Sequence, residues 1–232
     1  MSHEPVVLVI DDEVQMLRAL RRILSENHFQ VQTAATGEDG LSLAATAQPD
    51  VIILDLNLPD MDGTQVCERL REWTLTPIIV LSARDDQKQK VLALDKGADD
   101  YLTKPFGIDE LMARVRVALR HKSRFQPDRE SVIRTGDLVI DLSAHLVTRQ
   151  SAEVRLTATE FKLLAYLAGN SDRVLTHRAI LKQVWGDAYQ DQTEYLRVYI
   201  RQLRIKLEAD PHDPQLLITE PGIGYRFNAS AV

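Results

Sequence analysis

The sequence contains a single cysteine, Cys67, so no disulfide can form within the chain and no cysteine-rich metal cluster can be built. A reducing, cytoplasmic setting is expected. No uninterrupted apolar run approaches the ~18 residues that a membrane span needs, and the opening MSHEPVV lacks a secretory-leader pattern, so membrane insertion is not expected. An excess of positive charge is missing as well. The chain has 28 Lys and Arg against 34 Asp and Glu, and its net charge of -6 argues on its face against nucleic-acid binding. There is no internal repeat and no low-complexity segment. What remains, 44% hydrophobic and 27% charged residues over 232 positions, is the composition of an ordinary folded protein of one or two domains.

The charge is unevenly distributed. Residues 1–121 carry 13 Lys and Arg against 20 Asp and Glu, whereas residues 122–232 carry 15 against 14. Such an asymmetry suggests two domains with different partners. The first half alternates between apolar runs and helical patterns. VVLVI (6–10), VQTAA (31–35), VIILDL (51–56), PIIVLSA (77–83) and DYLT (100–103) read as strands. Helical periodicity fills each gap and closes the half over 108–121. Near-continuous apolar strands separated by helices predict right-handed βαβ units and a parallel sheet covered on both faces, an α/β fold.

Ligands of such sheets sit beyond the carboxyl ends of the strands. Asp11, Asp12, Asp55, Ser82 and Lys104 each fall just past the end of a strand. A lone Asp in that position is usually a turn residue or a helix cap. Several polar groups at one edge make a site. Three carboxylates (Asp11, Asp12 and Asp55) are expected to converge, and crowding them beside a low-dielectric core is costly unless a cation shares the space. Mg2+ suits them, because it takes few protein oxygens and is completed by water and phosphate. Lys104 offers a point charge to a phosphoryl oxygen and Ser82 a hydroxyl donor. The chemistry that fits is phosphoryl transfer to a carboxylate, with Asp55 as nucleophile. DLNLPDMDG is not a calcium loop, since Pro59 and Asp60 stand where that motif needs a ligand and a glycine.

VIDDE, ILDLNLPDMDG, VLSA and GADDYLTKPF, at this spacing, resemble the receiver domain of two-component response regulators over residues 5–121. The resemblance implies that Asp55 is the phosphoacceptor. It also implies that Mg2+ is held by Asp12, Asp55 and the Asn57 carbonyl, with Asp11 acting through water. Lys104 would bind the phosphate, and Ser82 and Tyr101 would form a switch pair. The family more often has threonine at the Ser82 position. The donor of the phosphoryl group would be a sensor histidine kinase. The resemblance further implies a homodimer through the fourth helix, fifth strand and fifth helix. The charges expected on that face are Lys90, Asp95, Asp99, Asp100, Glu110, Arg114, Arg116 and Arg120. Pairs Lys90–Glu110, Asp100–Arg114 and Asp99–Arg116 are expected across the two-fold axis, setting orientation more than affinity.

From Lys122 the rhythm changes. Residues 122–131 read as a linker between a receiver of 1–121 and a second domain of 132–232. VIRTGDLVIDLSAHLVTRQSAEVRL alternates as antiparallel strands do. Thr157 and Glu160 form a capping box at the start of a helix. A second helix follows from about Thr176 and a third from about Asp191 to Glu208. The end is a hairpin around Pro221-Gly222-Ile223-Gly224, with glycine where positive φ is needed. This is a winged helix-turn-helix pattern. On the third helix Leu196, Tyr199, Ile200, Leu203 and Leu207 form an apolar stripe, while Arg197, Arg201, Gln202 and Arg204 mark the polar side. Arginine can read guanine or clamp phosphate, and glutamine can read adenine. Arg226 falls at the base of the wing, where a minor-groove or phosphate contact is expected. LTATEFKLLAYLA, YLRVYIRQLRIKLE and GIGYRF are similar to the effector domain of the OmpR/PhoB subfamily over 131–229. That implies double-stranded promoter DNA as a partner, and RNA polymerase at the loop 186–190.

Two other readings stay open on the residues alone. A magnesium-dependent phosphatase is disfavoured by Asn57, which stands where a second catalytic Asp would be. A DNA binder with a merely structural acidic pocket is disfavoured by the intact Asp, Ser and Lys set.

Overall fold

The computed structural model describes residues 4–83, 87–120 and 132–230. The chain divides into two compact units, Met1–Arg120 and His121–Val232. The expected linker, 122–131, lies outside the described residues.

The first unit contains β1 (Val6–Ile10), α1 (Val14–Glu26), β2 (Gln30–Ala34), α2 (Gly37–Ala47), β3 (Val51–Asp55), α3 (Gly63–Arg71), β4 (Ile78–Ser82), α4 (Gln87–Asp95), β5 (Asp100–Thr103) and α5 (Ile108–Arg120). All strand pairings are parallel, in the order β2-β1-β3-β4-β5. This is the α/β sheet that the apolar runs predict. Every residue of β3 and β4 is buried, which is why those runs show no alternation. On one side of the sheet Val7, Val9, Ile53, Ile79 and Leu81 pack with Leu20 and Leu24 of α1 and Leu111 and Val115 of α5.

The strand order reverses at β1, which has β2 on one side and β3 on the other. In parallel sheets such a reversal opens a crevice at the carboxyl edge. Asp11 follows β1 and Asp55 ends β3, and the two strands pair up to Ile10↔Leu54. The fold therefore brings the two acids to the mouth of the same crevice.

The second unit opens with a four-stranded antiparallel sheet of β6 (Val132–Thr135), β7 (Leu138–Asp141), β8 (Leu146–Arg149) and β9 (Ala152–Glu153). Then come α6 (Ala158–Ala168), β10 (Leu175–Thr176), α7 (His177–Val184), a 3-10 turn at Asp187–Tyr189, α8 (Thr193–Leu207), β11 (Leu217–Glu220) and β12 (Gly224–Phe227). The capping box at Thr157 and Glu160 is formed. Three helices and the β11–β12 wing make a winged helix. The short β10, which has no signature in the sequence, joins the wing as a third strand in the order β10-β12-β11. The wing turn needs both its glycines. Gly222 has φ 74, and a Cβ on Gly224 would lie 1.9 Å from the Leu175 carbonyl oxygen of β10.

Candidate functional site

At the carboxyl edge of the first sheet, Lys104 reaches between two acids. Its Nζ donates to Asp11 Oδ2 at 2.8 Å and to Asp55 Oδ1 at 2.7 Å. The other carboxylate oxygens are held by backbone amides two residues on. Glu13 N–H donates to Asp11 Oδ1 at 2.9 Å, and Asn57 N–H donates to Asp55 Oδ2 at 2.7 Å. Each acid thus closes a tight local turn with one oxygen and presents the other to the ammonium group. The Lys104 amide donates to the Ser82 carbonyl at 2.7 Å, which fixes the start of the loop after β5 against the end of β4.

Burial pushes the Asp55 carboxyl above its ordinary pKa, and the hydrogen bond and charge of Lys104 only partly offset this. Burial also pulls on Lys104 in the direction that disfavours its charge, but its hydrogen bonds to Asp11 and Asp55 outweigh that and its pKa rises. Among the described residues, Lys104 and the Asn57 amide therefore do not fully offset the burial of Asp55. Ser82 is fully buried, and Tyr101 is 3% exposed. The register Val80↔Tyr101 and Ser82↔Thr103 puts Ser82 and Tyr101 on one face of the sheet, with the pair Leu81↔Leu102 between them.

Only two of the three carboxylates meet at Lys104, and Asp12 is exposed. Asp12 lies at a bend just past the end of β1. Among the described residues, no group of three or more His, Cys, Asp or Glu side chains is arranged to hold a metal. The donors present nevertheless fit Mg2+. They are hard oxygens from Asp11, Asp12, Asp55 and the neighbouring Asn57 carbonyl, few in number, around a carboxyl whose burial the Lys104 ammonium only partly offsets.

The segment between Asp55 and α3 is tightly closed. Asn57 bridges to Asp62, and Gly63 N–H donates to the Leu56 carbonyl at 2.9 Å. A Cβ on Gly63 would lie 2.5 Å from the Asp55 carbonyl oxygen, so only glycine lets α3 begin so close to the acid. Asp62 caps α3 by accepting from Thr64 N–H at 2.8 Å.

The charges expected on the α4, β5 and α5 face are not all at the surface. Asp99 is 5% exposed, and its Oδ2 accepts from Arg71 at 2.6 Å and from the Ile78 amide at 2.9 Å. Arg71 also donates to the carbonyls of Gly97, Thr74 and Thr76, tying the end of α3 to the turn before β5. Asp99 is a structural acid, and nothing in the local sequence marks Arg71 as its partner. Arg114 pairs within its own chain, with Asp100 at 2.8 Å and Glu110 at 2.6 Å. Arg116 and Glu110 are exposed, and Lys90 and Asp95 are half-buried. The Arg120 side chain lies outside the described residues.

On α8 the apolar stripe is buried as expected, and Arg197 and Arg201 are exposed with Gln202 half-buried. Arg204 departs from the expectation. Its guanidinium donates to the Leu217 carbonyl at 3.1 and 2.5 Å and to Thr219 Oγ1 at 2.8 Å. Burial pulls its pKa below the ordinary value. It spans from α8 to the first wing strand. Arg226 pairs with Glu220 across the wing at 3.0 Å. The far end of α8 is held by Lys206, which pairs with the buried Glu160 at 2.6 Å, and by Arg149 on the Leu207 carbonyl. Glu208 accepts from the amides of Gln215, Leu216 and Leu217. Of this framework only Glu160 was legible in the sequence, through its capping role.

Residues 7–116 match the response regulator receiver domain, and residues 151–227 match the C-terminal domain of transcriptional regulatory proteins. The chain belongs to the two-component response regulators of the OmpR/PhoB type, phosphorylation-activated transcription regulators with an N-terminal receiver and a C-terminal DNA-binding domain. It is 52% identical over 224 residues to the transcriptional regulatory protein KdpE of Mycobacterium tuberculosis, covering 97% of this chain and 99% of that one. It is 50% identical over 222 residues to the KDP operon transcriptional regulatory protein KdpE of Escherichia coli, covering 95% and 98%. Among solved structures, a RitR mutant superposes with a TM-score of 0.79 at 29% identity, over 97% of this chain and all of that one. No helix among the described residues is long and apolar enough to cross a membrane.

Proposed function

We propose that Asp55 accepts a phosphoryl group from a sensor histidine kinase, and that the receiver of residues 1–121 then dimerises so that the winged helix of 132–232, joined through 122–131, binds promoter DNA. The observation that carries this reading is the Lys104 ammonium poised between Asp11 and Asp55 at 2.8 and 2.7 Å. Asp55 Oδ2 rests on the Asn57 amide, so Oδ1 is the attacking oxygen. As the new P–O bond forms, the bond from phosphorus to the donor imidazole breaks, and its electron pair leaves with the imidazole nitrogen, which takes up a proton. Lys104 turns its hydrogen bond from Asp55 to a phosphoryl oxygen, and the Asn57 amide continues to hold the acyl oxygen.

Bound Mg2+ would neutralise charge on the transferring group, with Asp12, Asp55 and the Asn57 carbonyl as ligands and Asp11 acting through water. The same groups would support hydrolysis of the acyl phosphate, so the protein's own chemistry is limited to its phosphorylation and its return to the resting state. Ser82 follows the new phosphoryl oxygens and Tyr101 takes the space behind it, which alters the α4-β5-α5 face. Arg197, Arg201 and Gln202 meet the major groove, and Arg226 meets the backbone beside the wing. The loop 186–190 meets RNA polymerase. The protein works in the cytoplasm, and the identity to KdpE proteins over nearly their whole length supports a potassium-transport operon of the kdp type as its target.

Asp55→Ala is expected to abolish labelling by acetyl phosphate while the chain still folds. Undiminished labelling in that variant would place the acceptor elsewhere.

A further inference from the structure

The loop that carries Asp55 into α3 is fastened to a part of the fold with no assigned part in the chemistry. Asp60, at its tip, accepts from Gly37 N–H at 2.9 Å through Oδ1 and from Glu38 N–H at 3.0 Å through Oδ2. These are the first two amides of α2, which have no partner within the helix. Both carboxylate oxygens are used, and the two amides hold the Asp60 carboxyl below the ordinary range although it is fully exposed. The α2 cap itself is Thr36, which takes the Asp39 amide, so Asp60 supplements a helix end that is already capped locally. A second link, Arg69 of α3 to Glu38 of α2 at 2.5 Å, runs alongside it.

The connection continues to both acids of the pocket. On one side, the loop is closed by the bridge between Asn57 and Asp62, and the Asn57 amide holds Asp55 Oδ2 at 2.7 Å. On the other side, the chain entering α2 leaves β2 at Ala34, whose carbonyl accepts the Asp11 amide at 3.1 Å. Asp60 is therefore the closing link of a ring that runs from Asp11 through residues 34–38 to the loop 56–62 and back to Asp55. Lys104 spans the open middle of that ring.

We infer that Asp60 is a positioning residue for phosphoryl transfer, which by anchoring the 56–62 loop to the first turn of α2 sets the spacing among Asp11, Asp12, Asp55 and the Asn57 carbonyl, the groups that would hold a divalent cation. This rests on the reading of Asp55 as acceptor and deepens it. Mg2+ demands near-ideal ligand geometry, so a loop free to drift loses affinity for the ion before it loses chemistry. Asp60 touches neither the acceptor nor Lys104, so the rate with the site filled should be spared.

The test uses the full chain with Asp60→Ala, Asp60→Asn and, as a charge control, Asp39→Asn on the same helix end. Mg2+ alone is titrated by calorimetry, and the rate of Asp55 labelling by acetyl phosphate is followed against Mg2+ concentration. In Asp60→Ala the half-saturating Mg2+ is expected to rise about tenfold, the low end of what loss of an outer-shell partner costs a metal site. The labelling rate at saturation should hold. Asp60→Asn, which keeps one acceptor, should fall between, and it decides the matter if the alanine variant does not fold. Half-saturation unmoved in the Asp60 variants, moved equally by Asp39→Asn, or a fall confined to the saturated rate would each overturn the inference. Absence of label in the unaltered chain would sink the acceptor reading instead, and the calorimetric titration would still judge Asp60.

Discussion

Asp55 is 4% exposed and faces the Lys104 ammonium, which it shares with Asp11. Its pKa is raised because burial outweighs Lys104 and the Asn57 amide. A carboxyl whose folded-state pKa lies above its unfolded value favours folding only while protonated. That contribution is complete below the unfolded pKa and lost as the pH rises through the folded one. Once ionised, the acid is thus a net burden on the fold. Asp55→Asn keeps the shape and an acceptor for Lys104 but removes the charge, so it is expected to melt at a higher temperature than the parent at neutral pH. The gap should narrow as the pH is lowered through the raised Asp55 pKa. A gap independent of pH would show that buried charge is not the cause. Side-chain chemistry at this scale was largely readable beforehand, because strand ends and turn chemistry are local signals. Which acids meet Lys104 was not, since that depends on how the turn after β1 lies once β1 pairs with β3.

At the scale of the element, α8 shows what a helical pattern can and cannot reveal. Its apolar stripe predicts the buried side, since spacing alone decides which residues share a face. The pattern cannot separate arginines that face solvent from one that bonds to a neighbouring strand. Arg204 gives donors to Leu217 and Thr219 of β11, whereas Arg201 is exposed. Arg201→Ala is expected to weaken promoter binding and flatten the dependence of log affinity on log salt by about one charge. Arg204→Ala is expected to weaken binding by letting the wing shift, with the salt dependence unchanged. Affinity measured across a salt series checks both. A flattened slope for Arg204→Ala would make it a phosphate contact rather than a strut. The wing itself was legible through its glycines, but its third strand was not, because two residues pairing with β12 leave no periodic trace.

For the whole molecule, the contrast that matters is between ion pairs within one chain and between two. Arg114 is engaged with Asp100 and Glu110 of its own chain. In an isologous dimer the same residues could exchange partners across the two-fold axis. Arg114→Glu and Asp100→Lys are each expected to lose the phosphorylation-dependent dimer, measured by sedimentation. Mixing the two variants is expected to restore it, since each reversed charge then meets its opposite on the partner. Pairs confined to one chain would be repaired only when both changes lie in the same polypeptide, and failure of the mixture would rule out the exchange.

The sequence alone determined the alternation of strand and helix, the winged pattern after it and the candidate chemistry at the strand ends, because periodicity, capping and turn preference act over a few neighbouring residues. Tertiary structure decided the rest: the order β2-β1-β3-β4-β5, the burial of Asp99 under Arg71, the turning of Arg204 toward the wing and the meeting of Lys104 with Asp11. Those outcomes join residues as far as 93 positions apart, and they are settled by which buried polar groups can find partners once the sheet has closed.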